Sequence, residues 1–385
     1  MRISRPATFS LFLLPIPLLA AAFFFPASLD FRHILSAPSQ PPAVKNVAAR
    51  SSTTKRIWVS EDVYAGDNFF PGFDFFDQSD PTHGQVEYVN ASVALGRLAY
   101  VTADKKVVMT VDNVTTLAAG QPRESVRISS KKQYNGGLFI LDVEKAPWGC
   151  GVWPAFWTVG PNWPNGGEID IVEGVHDYVH NQMTMHTAPG CTLSNTTNNT
   201  YSGTAMTTNC DATINNNEGC AILDNSQASY GPQFNVLNGG IYAMMWTIDG
   251  INIWFFHRAS IPADITDGNP DPTGWGAPSA ALSPQSCPPR KYFYNHSMVF
   301  DITFCGDWAG TSYIAAGCPG TCSQRIMDPK NFINASWSIN SLHVYRDATV
   351  TGAIPGAASQ LRVSATFAVT LVALGFACFW NLGAI

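Results

Sequence analysis

Gly167-Glu168-Ile169-Asp170-Ile171-Val172-Glu173 decides the reading of this 385-residue chain. Three carboxylates fall within six positions, separated only by β-branched aliphatics. Such residues favour a strand, in which successive side chains point to opposite faces. Glu168 and Asp170 therefore share one face. Glu173 falls on the other, unless one extra residue is inserted as a β-bulge that turns it back. With that bulge, three acids project into one cleft. Two carboxyls facing each other across a glycosidic bond are what sugar hydrolysis requires, one ionised to attack carbon and one protonated to release the leaving oxygen.

Acids in a strand more commonly line a solvated face, and a carboxylate cluster can instead hold calcium. The neighbouring sequence tilts the reading towards catalysis. Trp153-Pro154-Ala155-Phe156-Trp157 and Trp163-Pro164-Asn165-Gly166-Gly167 run directly into the acids. Flat aromatic faces beside carboxylates suit sugar rings, whose axial C–H groups form apolar patches. Trp163 lies in a Gly/Pro/Asn turn, where burial in a core is unnatural; Trp153 and Trp246 are assigned to the core, the usual place for tryptophan.

The stretch from Trp153 to Tyr178 resembles the active-site strand of glycoside hydrolase family 16, in its fungal laminarinase-like branch. Asp80-Pro81-Thr82-His83-Gly84, Ser125-Val126-Arg127-Ile128, Met183-Thr184-Met185-His186-Thr187 and Phe304-Cys305-Gly306-Asp307-Trp308-Ala309-Gly310 extend the resemblance, in the family's order, from about Trp58 to Tyr345. It implies Glu168 as nucleophile, Glu173 as general acid/base and Asp170 as an assistant beside the nucleophile. The mechanism would be retaining, with the two glutamate carboxyls about 5–5.5 Å apart. The residue extra to an E-x-D-x-E spacing points to the bulged branch, which includes laminarinases, and away from the lichenases and chitin–glucan transglycosylases. Trp157 and Trp163 are implied sugar platforms. Trp308 resembles a cleft position, with structural packing equally open; His186 is implied to bond the acid/base or a sugar hydroxyl, and Arg127 is the weakest of the set.

The expected substrate is a β-1,3-glucan, with mixed 1,3/1,4-linked chains beside it. The chemistry needs no cofactor and no catalytic metal; relatives carry a structural calcium on the convex face, but no ligand run marks one here. Two other activities share the sequence pattern. A cell-wall transglycosylase would use the same carboxylates with a sugar hydroxyl in place of water, and a non-catalytic glucan-binding lectin would require loss of an acid that is present.

Charged residues make up 13% of the chain and the net charge is −6, so no basic surface for nucleic acid exists. Short strand-like runs with frequent turns and no helical stripe imply an all-β, antiparallel sandwich; the resemblance sharpens this to a β-jelly roll with a concave cleft. Expected strands are 85–89, 98–102, 107–111, 125–129, 137–143, 167–173, 182–186, 242–248, 251–257, 298–304 and 336–345. Asp249-Gly250 signals a hairpin between two of them. Phe69 to Phe76, rich in Phe, reads as core and loop packing.

The ends read as processing and anchoring segments. Arg2 and Arg5 precede an apolar stretch from Phe9 to Phe25, which fits a signal peptide over 1–28. Residues 29–56 read as a linker or propeptide ending in the dibasic pair Lys55-Arg56, and 57–346 as the catalytic domain. Beyond 347, small residues, a short spacer and an apolar tail from Ala365 to Ile385 fit a glycolipid-anchor signal, with a retained transmembrane helix as the competing reading. The expectation is a monomer held at the outer face of a membrane. Eight cysteines outside the tail, an even number, imply disulfides whose pairing spacing cannot fix. The Asn/Thr-rich stretch between Cys191 and Cys220 is expected to be a disulfide-tied loop. Six N-glycosylation sequons begin at Asn90, Asn113, Asn195, Asn198, Asn295 and Asn334.

Overall fold

Period-2 alternation gives each long strand an apolar set of side chains on one face, and in the strands that carry the acids the alternate set is polar. Two antiparallel sheets can bury the apolar sets against each other only by stacking face to face. A computed structural model describes residues 54–193 and 201–351 and shows this sandwich. Each sheet has eight strands. The sheet carrying the acids runs, in spatial order, Thr204–Ala205, Cys220–Leu223, Gln182–His186, Glu168–Glu173, Val152–Val159, Ser297–Phe304, Arg127–Ser130 and Phe73–Phe75. The longest helix among the described residues is Gly231–Val236. The signal, linker and anchor segments expected at the two ends lie outside the described residues, apart from their innermost positions.

The central strands show why this sheet has one wet face. Phe156, Ile169, Val172, Met183, Met185, Phe300 and Ile302 are buried in the sandwich core. Their alternate neighbours Trp157, Glu168, Asp170, Thr184, His186 and Asp301 border the cleft on the other face. Against the first set pack Leu141, Tyr242, Met244, Trp246, Trp337 and Leu342 of the second sheet. Trp246 is 2% exposed, a core residue as expected. Phe69, Phe70 and Phe73 are also buried there, with the Phe69 and Phe73 rings stacked 5.0 Å apart.

Several expected strands are redrawn. The segment read as one strand over 125–129 breaks at Val126 into Arg123–Ser125 and Arg127–Ser130. The first piece pairs in parallel with Val86–Tyr88 in a separate two-stranded sheet. The hairpin turn falls one residue earlier than Asp249-Gly250: Thr247 pairs with Gly250, leaving Ile248 and Asp249 at the tip. Ile248 is consequently 53% exposed, while Met244 and Trp246 stay on the core face. Six strands escaped the pattern altogether, four of them two to four residues long and two of them long. Val152–Val159 carries Pro154 and bulky residues on both faces, and Thr54–Tyr64 pairs along Ser336–Thr351, from Tyr64↔Leu342 out to Thr54↔Thr351. Paired backbone thus extends beyond 57 and 346, and Lys55-Arg56 sits within a strand.

Four disulfides join Cys150–Cys318, Cys191–Cys287, Cys210–Cys220 and Cys305–Cys322. Cys191 and Cys220 are not partners; each end of that stretch is tied separately, and 194–200 within it lie outside the described residues. Cys305–Cys322 and Cys150–Cys318 hold the segment after Phe304, which brings Asp307 and Trp308 to the cleft.

Packing at the sheet–sheet interface predicts the stability cost of truncating it. Phe156 is 1% exposed and its ring stacks on Phe300 at 4.3 Å. Phe156→Ala should lower unfolding free energy by about 3–5 kcal/mol, the range for emptying a buried aromatic site. Denaturant titration measures this as a lower midpoint at unchanged slope; a loss under about 1 kcal/mol contradicts the packing described.

Candidate active site

The acid strand contains the bulge that its sequence demands. Along its pairing with Val152–Val159, Asp170 stands opposite Trp157 and Val172 opposite Phe156, so Ile171 is the extra residue. Glu168, Asp170 and Glu173 all line one cavity of 480 Å3 as a result. Immediately upstream, Gly167 has φ +77°, and a Cβ there would sit 2.3 Å from the Tyr292 carbonyl oxygen. Only glycine lets the chain enter the strand at this point.

Three indoles meet three carboxylates in this cavity. Trp163 Nε1 donates to Glu168 Oε2 at 2.5 Å. Trp153 Nε1 donates to Glu173 Oε1 at 2.9 Å, and Trp157 Nε1 donates to Asp301 Oδ2 at 3.2 Å. The assignment of Trp153 to the core is therefore corrected: strand alternation puts it on the wet face, two residues from Ala155 and four from Trp157. Trp163 is 46% exposed, as its turn implied. Trp308 packs edge-on to Trp153, ring centroids 5.8 Å apart. It borders an adjoining 880 Å3 hollow that shares Glu168, Glu173 and Trp153 with the first, so the cleft is continuous.

Arg127 is reached through aromatic stacking. Its guanidinium lies over the Phe76 and Trp157 rings, 4.6 and 5.0 Å from their centroids, and 3.9 Å from Asp301 Oδ2. It lines the same cavity as Trp157 and Asp301 and contacts both. His186 contacts Asp170 rather than Glu173: Nε2 lies 3.4 Å from Asp170 Oδ2, and Nδ1 lies 2.7 Å from Asn217 Oδ1. Asp301 and Asn217 are site residues that sequence reasoning missed. The first shares its strand with core residues and the second sits in an Asn-rich loop, Asn215–Asn217, whose three residues all have positive φ. Asp80-Pro81-Thr82-His83-Gly84 and the Cys305–Gly310 motif meet at the cleft rim, where Gly84 bridges Cys305 and His83 Nδ1 lies 3.0 Å from Asp307.

Crowding of acids in a dry cleft sets the proton inventory. Burial, then the Asp170 charge, lifts the Glu168 carboxyl to about 8. The same two causes push Glu173 well above the carboxylate range. An indole N–H and nearby His186 pull each of them back towards the ionised form, Trp163 acting on Glu168 and Trp153 on Glu173. Burial alone would lower His186, but Asp170 and both glutamates raise it to about 9. Asp301 rises to about 7 through burial, offset by Arg127. Glu168, Asp170 and His186 also place ligand atoms within 4.8 Å of one another. A protonated imidazole repels a cation, and both ring nitrogens already have partners, so this group suits a proton network better than a metal.

The family model for the XgeA-like, catalytic GH16 domain matches residues 73–345. The chain belongs to glycoside hydrolase family 16. A probable glycosidase of Schizosaccharomyces pombe is 46% identical over 289 residues, 74% of this chain and 68% of that protein. Probable endo-1,3(4)-β-glucanases of Aspergillus species are 39–41% identical, and the chain spans 43–50% of their length. Laminarinase 16A of Phanerochaete chrysosporium, solved with 6-O-glucosyl-laminaritriose in both donor and acceptor sites, is 39% identical. It superposes with TM-score 0.72 over 76% of this chain and all of its own. An elongating family 16 β-1,3-glucosyltransferase is 38% identical with TM-score 0.71, over 75% of this chain and all of its own.

The raised Glu168 carboxyl carries a stability prediction. Below pH about 4.5 the folded and unfolded chains both hold this proton, and nothing is lost. As pH rises towards about 8 the unfolded chain releases it and the folded chain resists, so folding is progressively penalised. Glu168→Gln should match the native melting temperature near pH 4 and exceed it increasingly towards pH 8, by calorimetry. A pH-independent offset contradicts the shift.

Proposed function

We propose that the chain is a retaining endo-β-glucanase acting on β-1,3-linked and mixed 1,3/1,4-linked glucans. The observation carrying this is the bulge at Ile171, which sets Glu173 on the same face as Glu168 and Asp170, beside three cleft tryptophans. Glu168, in its ionised form, attacks the anomeric carbon, and Glu173 protonates the departing oxygen. In the second half-reaction Glu173 takes a proton from water, which displaces Glu168 from the sugar. The Trp153 N–H occupies Oε1 of Glu173, which leaves Oε2 to carry the proton. Asp170 and His186 form a charge pair beside the nucleophile, and Trp157, Trp163 and Trp308 offer ring faces to successive sugars. The substrate class is supported by the glucanase relatives and by the laminarinase solved with 6-O-glucosyl-laminaritriose in its donor and acceptor sites.

Transfer to a sugar hydroxyl is the second reading, supported by the 38% identical elongating glucosyltransferase. Both activities share the covalent intermediate. They part at the acceptor: hydrolysis makes new reducing ends, transfer makes longer chains without them.

The same proposal extends to the setting. Four disulfides and exposed sequon asparagines at 90, 113, 295 and 334 suit an exported, glycosylated enzyme. The end segments read from the sequence would supply export and a C-terminal membrane anchor, with 57–346 as the core of the catalytic domain.

Incubating the protein with laminarin tests the chemistry. Proton NMR of the first products should show the β-anomer, converting to the equilibrium mixture only by mutarotation; α-anomer appearing first contradicts a retaining scheme. Glu173→Gln should lower laminarin turnover at least about a hundredfold, the scale of lost general acid catalysis. Unchanged turnover in that variant removes Glu173 from the reaction.

A further inference from the structure

A β-bulge solves a problem for Glu173 and creates another for the backbone. The inserted residue breaks the ladder, and buried peptide groups left without partners are costly. On the side facing Gln182–His186, regular pairing of the acid strand ends at Asp170↔Thr184. The carbonyl of Ile171 and the N–H of Glu173 lie beyond that last pair.

One side chain takes both. Asn181 is fully buried. Its Nδ2 donates to the Ile171 carbonyl at 2.8 Å, and its Oδ1 accepts from the Glu173 N–H at 2.9 Å. A carboxamide presents a donor nitrogen and an acceptor oxygen side by side, so it continues the ladder where the neighbouring strand cannot. The orientation of the amide is fixed by its partners, since a carbonyl can only accept and an N–H can only donate. Asn181 is itself held by its backbone: its N–H donates to Ser229 Oγ at 2.9 Å, and its carbonyl accepts from Asp224 N–H at 2.9 Å. The Ser229 carbonyl in turn accepts the buried Tyr242 hydroxyl of the second sheet.

We propose that Asn181 is a positioning residue for the acid/base glutamate, clamping the bulge so that Glu173 is aimed into the cleft. The inference rests on the glucanase reading above. The clamp acts on the two peptide groups that flank Val172, and these determine the direction of the Glu173 side chain. Released from it, the segment can relax towards a regular register, which turns Glu173 away from Glu168. Displacement of a catalytic group by about 1 Å costs about a hundredfold in rate. Aspartate cannot substitute: one carboxylate oxygen would face the Ile171 carbonyl, and its charge would add to those around Glu173.

Leaving-group dependence separates this role from simple loss of stability. Dinitrophenolate departs from a dinitrophenyl β-laminaribioside without a proton, whereas the sugar leaving group of laminarin requires one. Asn181→Ala should lower kcat/KM on laminarin about a hundredfold and on the dinitrophenyl substrate less than about fivefold. Asn181→Asp should show the same asymmetry, and serves where the alanine variant does not fold. Leu141→Ala, a fully buried change in the opposite sheet, supplies a comparable stability loss and should alter both substrates by one common factor. Equal losses on the two substrates in the Asn181 variants, or unimpaired laminarin turnover, overturn the clamp. Native protein that turns over neither substrate overturns the glucanase reading beneath it.

Discussion

One inserted residue in one strand governs the chemistry of this protein. A regular strand would distribute Glu168 and Glu173 to opposite faces, one wet and one packed against Phe156 and Phe300. The bulge at Ile171 restores Glu173 to the wet face while Ile169 and Val172 remain in the core. Burial of those aliphatics holds the strand in register, because a slip by one residue would carry an acid into the sandwich. Core packing and active-site geometry are thus a single constraint read from two sides.

The same cleft controls where protons reside. Dry surroundings and mutual repulsion among acids favour the neutral carboxyl, while indole N–H groups and the His186 cation favour the ionised one. Glu168 has the Trp163 indole and Glu173 the Trp153 indole, and His186 acts on both. Both glutamates of the strand are thus held towards the neutral form by the same surroundings. The cost is a native state that resists charging at neutral pH, the usual exchange of stability for function.

The fold class, the shared face of Glu168 and Asp170, the need for a bulge, and the exposure of Trp163 were legible because each depends on local alternation or turn chemistry. Trp153 was misplaced because a general preference of tryptophan for cores was applied without counting outward from Ala155 and Trp157. Alternation along Ser297–Phe304 could have found Asp301, since Phe300 and Ile302 alternate with it. Asn181 and Asn217 carried no such signal. Each acts through a hydrogen bond set by tertiary approach, and an asparagine before a strand or in a polar loop reads only as a turn former. Disulfide pairing was illegible for the same reason: Cys318 and Cys322 sit four residues apart yet bind Cys150 and Cys305.

The central claim is that the bulge presents Glu168 to the anomeric carbon with Glu173 opposite it. A 2-deoxy-2-fluoro laminaribiosyl fluoride should trap the glycosyl-enzyme, and mass spectrometry of the proteolysed protein locates the attached sugar. The account predicts a single adduct on Glu168. An adduct on Asp170 or Glu173, or hydrolysis of the reagent with no covalent species formed, would contradict it.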